Sequence, residues 1–534
     1  MQLCFSTALS CLAVFSGFVA AEDFVLHTFQ RQQLTDVYYS EGAGAGDLNN
    51  DGHVDLVYGP HWYAGPDYVK RQEIYPAVPQ RREGYANNFF AWVYDFDGDG
   101  WNDILTAGFP GTPGYVYRNP GADAAQSLWE KFEVADSVSN EAPQFADLTG
   151  DGVPELICTR KGHYGFYRTR SEGPLKPWEF VSVSAKIAPD PFGHGLGVGD
   201  LNGDGRADLL ARDGWMEQPE EDARESEWKF HRYPFAPAAA DMFAVDADGD
   251  GDADVITALH AHEYGLAWFE NTGVTDGEIT FTQHLIVGKT TADSPYGVLF
   301  TEPHAVKMAD MNGDGLQDIV TGKTYWSHHR QSPMWDAGAV VYWFECRREQ
   351  NDSGHTEVDW VPHLADGDSG IGRGLVVQDL NGDDLPDIAS GGMVGASVML
   401  NHARAVSESE FRNAQPQRRP AGSTCEPAPA SARRGAGAAG GGPRRPRSRR
   451  AGAWPRYADA TRAVAADHSW CADLGAGRAT WEYFRSAAAR SRRAVARRCH
   501  TGLAVAAGVL LRRQPRLQRR AAVLQLAAHV GRPA

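Results

Sequence analysis

The chain reads as short apolar runs separated by acidic, glycine-punctuated loops. Around the loop "DFDGDGWND" at Asp95, "FAWVYDF" leads in, and "DILTAG", "GYVYRNP" and the aromatic-led "WEKFEVAD" follow. Short runs rich in β-branched and aromatic residues, bounded by Gly, Asp, Asn and Pro, predict strands. Four such strands recur in each unit of about 50 residues, the pattern of a β-propeller blade. Outer strands of the same kind are led by Trp178, Trp228, Phe281 and Trp360. The last unit has three strands, "GLVVQDL", "DIASGG" and "GASVML", and loses the pattern near Asn401. Its missing outer strand is expected in "EDFVLHTFQ", Glu22–Gln30. The expected fold is all-β: a seven-bladed propeller over residues 22–402, its ring closed by the N-terminal strand. An open row of the same repeats would leave strand edges unpaired.

The loops begin at Asp47, Asp95, Asp147, Asp200, Asp246, Asp310 and Asp379, at intervals of 48, 52, 53, 46, 64 and 69 residues. Each sits at the turn between the first two strands of a unit. Calcium takes six to eight oxygens, which a tight loop supplies from side chains at positions 1, 3, 5 and 9 and a carbonyl at 7. The expected ligands are Asp47, Asn49, Asp51 and Asp55; Asp95, Asp97, Asp99 and Asp103; Asp147, Asp151 and Glu155; and Asp200, Asn202, Asp204 and Asp208. They continue as Asp246, Asp248, Asp250 and Asp254; Asp310, Asn312, Asp314 and Asp318; and Asp379, Asn381, Asp383 and Asp387. Up to seven structural Ca2+ ions follow. Position 6 makes the sharp turn and is Gly in six loops, with Asp384 in the seventh. Asp384, and Thr149 with Glu155 in the third loop, mark these two as the weakest binders.

Charge divides the chain. Net charge is −18, yet residues 403–534 hold 26 Arg and 7 acids, a balance of +19 that leaves −37 on residues 1–402. So acidic a surface repels nucleic acid and anionic membranes, and suits hard cations. The 403–534 tail is rich in Arg, Ala, Gly and Pro, which GC-rich codons encode in any frame; it is expected to be disordered or a frameshift product. Residues 1–21 read as a secretory signal, an apolar run ending in small residues, which places the protein outside the cell, in a periplasm or at a cell surface. Lipidation at Cys11 is a minor alternative. No other run approaches the roughly 20 apolar residues of a membrane helix. Cys158 and Cys346 alone lie in the repeat region, too far apart for a disulfide framework.

These loops and strands resemble FG-GAP/VCBS repeats, which build seven-bladed propellers. "FGHGLGVGDLNGDGRADLL" and "EPHAVKMADMNGDGLQDIVTGKTYW" also resemble the propeller of the aldos-2-ulose dehydratase/isomerase family, whose cupin domains have no counterpart in this sequence. The resemblance implies a carbohydrate-active lyase; the repeat family equally implies a non-catalytic adhesion or ligand-binding propeller.

Six residues before each loop, at the opposite end of the innermost strand, stand Glu41, Phe89, Glu141, His194, Ala240, His304 and Arg373. At about 3.3 Å per residue they lie roughly 20 Å from the loops, at one mouth of the central channel. The second strands return to that face with His61, Trp62, Lys161, His163, His260, His262, Lys323, Tyr325, Trp326 and His328. Two readings stand: charges paired off as a plug, or a pocket for a carbohydrate or other small polar ligand. For a lyase, His194 or His304 would take a proton next to a carbonyl, Arg373 would steady the enolate and Glu141 would protonate the leaving hydroxyl. For a glycosidase, Glu41 and Glu141 would be the carboxylate pair. A further divalent cation held by His194, His304 and an acid such as Glu302 is the remaining option. Oligomeric state is not legible.

Overall fold

The computed structural model describes residues 24–123, 127–169, 172–224, 227–325, 330–352 and 354–419. The expected signal, all but the first residues of the basic tail, and the candidate mouth residues Trp326 and His328 lie outside them. The chain divides at Ala430, and every described residue belongs to the first unit.

Each repeat unit becomes a four-stranded antiparallel meander. The third, for example, runs Gln144–Ala146, Glu155–Arg160, His163–Arg168 and Glu179–Ser182, paired in sequence order. The expectation of seven separate blades is corrected in one respect. Five meanders form separate sheets, while the fourth and fifth share one eight-stranded sheet. Their inner strands, Leu196–Gly199 and Asp241–Val245, pair in parallel from Leu196↔Asp241 to Val198↔Phe243. Gly197 permits this approach: a Cβ there would lie 2.0 Å from the Met242 carbonyl oxygen. With any side chain the two strands would have to separate.

The last meander takes its outer strand from the start of the chain. Phe24–Thr35 pairs antiparallel with Gly395–Val406, from Phe24↔Val406 to Thr35↔Ala396. The strand therefore runs to Val406, beyond the expected limit at residue 402, because its partner is twelve residues long. A short helix, Glu408–Ala414, follows, capped by Ser407 and packed through Phe411 on Phe24 with ring centroids 5.3 Å apart.

The apolar faces of neighbouring meanders pack against each other to form the core. Between the fifth and sixth lie Ile256, Trp268, Ile319, Phe344 and Trp360, all buried. Each loop is tied to its sheet by its ninth residue. Asp55 accepts the Leu48 N–H (2.8 Å) on one oxygen and the Gly65 N–H (2.9 Å) on the other. Asp103, Asp208, Asp254, Asp318 and Asp387 repeat this double bond to backbone. A carboxylate so placed satisfies two amides the loop would otherwise leave buried and unpaired. Cys158 and Cys346 are buried free thiols. No helix of the described residues is long and apolar enough to cross a membrane.

Candidate functional site

Two sets of polar residues are built by the repeats. At the loop end, the turn glycines stand at positive φ, and Asp384 adopts the same conformation at φ 66°. Position-1 carboxylates are oriented by loop amides, as where Gly52 N–H donates to Asp47 at 2.9 Å. In two loops, Asp95–Asp97–Asp99 and Asp246–Asp248–Asp250, one oxygen from each residue lies within 4.8 Å of the others. Ninth-position carboxylates stand behind these on backbone amides. Burial pushes Asp103 up to about 7 and Asp318 to about 8, against backbone hydrogen bonds and with loop acids adding to it. An all-oxygen donor set with crowded negative charge fits a hard cation such as Ca2+.

At the opposite end, residues from widely separated repeats converge. His304 Nε2 lies 3.0 Å from Glu141 Oε2, and Arg373 reaches Glu141 at 3.5 Å and Glu41 at 3.3 Å. The Tyr38 hydroxyl donates a short hydrogen bond to Glu41. His194 Nε2 faces His262 Nε2 at 2.9 Å. One ligand atom from each of Glu141, His194, His262 and His304 lies within 4.8 Å of the others. All five residues expected to carry chemistry, Glu41, Glu141, His194, His304 and Arg373, thus belong to one connected group.

Several expectations change. Glu302 is not part of the cluster; its buried carboxylate pairs with Lys323, while His262 and Glu141 stand beside His194 and His304. His262 comes from the second-strand set, and only its contact with His194 singles it out from that set. His163 turns away to the Ser184 carbonyl (2.9 Å), and His61 packs edge-on against Tyr39. Glu141 does not suit the role of proton donor. Burial alone would raise it, but the hydrogen bond with His304 and the nearby Arg373 guanidinium hold it well below the usual carboxylate range. Burial acts to lower Arg373, yet Glu41 and Glu141 keep it charged. Glu41, Glu141, His304 and Arg373 are buried, whereas His194 and His262 are half-exposed. The mouth thus has an ion-paired floor and two half-buried imidazoles whose Nδ1 atoms are themselves buried.

Three imidazoles and a carboxylate form a nitrogen-rich donor set suited to a divalent transition metal rather than calcium. The two closest separations, 3.0 Å for His304–Glu141 and 2.9 Å for His194–His262, are hydrogen-bond lengths, and one bound ion would replace both contacts. The Nδ1 atoms of His194 and His304 are buried without a hydrogen-bond partner, leaving each ring's orientation to its Nε2 contact.

Comparison with known proteins defines the class. Residues 95–158, 147–211 and 246–321 match the FG-GAP-like repeat. These stretches carry FG-GAP-like repeats, and the fold is an all-β propeller. No curated protein matches it. Among solved structures, an Agrocybe aegerita lectin described as recognising terminal N-acetylglucosamine is 16% identical, covering 71% of this chain and 86% of its own, with a TM-score of 0.32. A Bacillus licheniformis rhamnogalacturonan lyase is 13% identical, covering 70% and 71%, with a TM-score of 0.33. The Photorhabdus luminescens Tc holotoxin pore is 16% identical over 58% of this chain, which spans only 14% of that one, with a TM-score of 0.30. None of these is an aldos-2-ulose dehydratase, and likenesses at this level carry no functional argument.

Proposed function

We propose that the protein is a calcium-stabilised propeller whose channel mouth holds a divalent metal and binds a carbohydrate there, acting as a carbon–oxygen lyase. The observation that carries this reading is the convergence of Glu141, His194, His262 and His304 at the mouth. A metal held by these four would supply Lewis acidity to a ligand hydroxyl or carbonyl oxygen. Arg373 and Glu41 fix Glu141 from behind. His194 and His262 would then serve as metal ligands, and the proton next to the carbohydrate's carbonyl would pass to water. The same reading treats all seven loops as structural Ca2+ sites, counts the merged sheet as two blades of a seven-bladed ring, and takes residues 1–21 as an export signal.

A second reading, a non-catalytic recognition propeller, is favoured by the burial of Glu41, Glu141 and Arg373 in mutual ion pairs. The test uses the full chain. Metal content is measured by mass spectrometry for the wild type and for His262→Ala combined with His304→Ala. Keto-sugars and uronic-acid oligosaccharides are then offered while ultraviolet absorbance follows an unsaturated product. Wild-type metal near one transition ion per chain, lost in the double variant together with product formation, supports the lyase. Metal and sugar binding without product support the recognition module. A wild type that binds no transition metal overturns the proposal.

A further inference from the structure

Beside the polar floor stands an aromatic wall that ion pairing leaves unused. Phe192 is 44% exposed, although Phe is among the residues most often buried. Its backbone sits at φ 70°, a left-handed conformation costly for a bulky side chain. Residues held this way mark sites where the surroundings enforce a particular placement. Here the enforcement is visible. The Phe192 N–H donates to the Ser139 carbonyl and the Glu141 N–H donates to the Gly193 carbonyl, both at 2.8 Å. The strained segment is therefore sewn to the residues that lead into Glu141, with His194 two positions on.

The wall continues inward. Phe109 meets Phe192 edge-on with centroids 5.4 Å apart, and Tyr85 lies 5.9 Å from Phe109. The Arg373 guanidinium stands 5.0 Å from the Tyr85 ring. Phe109 and Tyr85 are half-buried, so a ledge of aromatic surface descends from solvent toward the cation. Arg373 keeps one donor in reserve: its Nη2 is buried and has no hydrogen-bond partner.

An apolar ledge that leads to an unpaired guanidinium donor matches a ligand with one face of C–H groups and an edge of hydroxyls. We infer that Phe192, Phe109 and Tyr85 form the stacking wall of a pyranose site, with the sugar's hydroxyls turned toward Arg373 Nη2. The inference rests on the carbohydrate reading above and narrows it to cyclic sugars. An acyclic polyol offers the same hydroxyls with no face to stack.

The test is calorimetric titration of the full-length protein with methyl β-D-glucopyranoside, digalacturonate and sorbitol. A bound pyranose and no bound sorbitol are expected. Phe192→Ala should weaken the pyranose about tenfold with transition-metal content unchanged, and Phe192→Tyr should restore it. Wild-type sugar binding that Phe192→Ala leaves intact, or sorbitol bound as tightly as pyranose, overturns the ledge while the carbohydrate reading stands. A wild type that binds none of the three overturns both.

Discussion

Replacing Arg373 with Met should unbalance the mouth more than any other single change. The side chain is 1% exposed and reaches Glu41 at 3.3 Å and Glu141 at 3.5 Å. At an effective dielectric of about 20, each contact is about 5 kcal/mol of gross Coulomb attraction, most of it offset by desolvation. Removing the shared cation leaves Glu41 with its hydrogen bond from Tyr38 and Glu141 with His304, and breaking a buried pair in this way costs about 3–5 kcal/mol. The deficit should depend on pH. Without the guanidinium, Glu141 loses one of the groups that hold its carboxyl low, so its folded-state value moves up toward the unfolded one. The variant is therefore closest to wild type in acid, where the carboxyl is protonated in both, and furthest from it above the unfolded carboxylate range. Urea denaturation followed by tryptophan fluorescence at pH 3 and pH 8, in saturating calcium, reads both quantities. Adding Glu41→Gln to the variant should recover at least about 1 kcal/mol, because one stranded charge is then gone. A loss below about 1 kcal/mol at pH 8, or a loss equal at the two pH values, would refute the account of the mouth as a balanced ion network.

Two further predictions follow from the rest of the fold. Chelating calcium with EGTA should lower the midpoint of thermal unfolding by several degrees in differential scanning calorimetry, since loop carboxylates then repel unscreened and bound-state stabilisation is lost; identical midpoints with and without chelator would count against cation-filled loops. Glu345 supplies an acid-sensitive term in the sixth meander. Its burial favours the neutral form, but hydrogen bonds from His363 (2.8 Å) and Arg347 hold it down at about 2. Its folded value lies below the unfolded one, so its contribution is complete above about pH 4.5 and is lost as pH falls toward 2. Glu345→Gln should therefore flatten the stability profile between pH 5 and pH 3 while costing most at neutral pH, and an unchanged slope would contradict this.

Much of the architecture is legible in short windows of the chain. The strand–loop–strand pattern around "DFDGDGWND" depends on residues within about ten positions of each other, and such contacts form wherever the segment is placed. Counting six residues back from each loop finds Glu41, Glu141, His194, His304 and Arg373 because strand geometry converts sequence offset directly into distance. The aromatic wall was harder to see. Phe192 sits in the quoted stretch as an ordinary apolar residue, and nothing local announces that its backbone turns left-handed and its ring faces solvent.

By itself the sequence determined the repeat, the all-β character, the acidic surface, the closing role of the first strand, and five of the residues that gather at the mouth. Only the tertiary structure decided the pairings there. His304 and Glu141 are 163 residues apart and Arg373 and Glu41 are 332 apart. Such partners are chosen by where the ends of different meanders meet. Those meetings turned on single features, a glycine at 197 that let two sheets merge and Lys323 beside Glu302 that took a carboxylate from the cluster. Periodicity and spacing describe one strand at a time, whereas these outcomes are set where different strands meet.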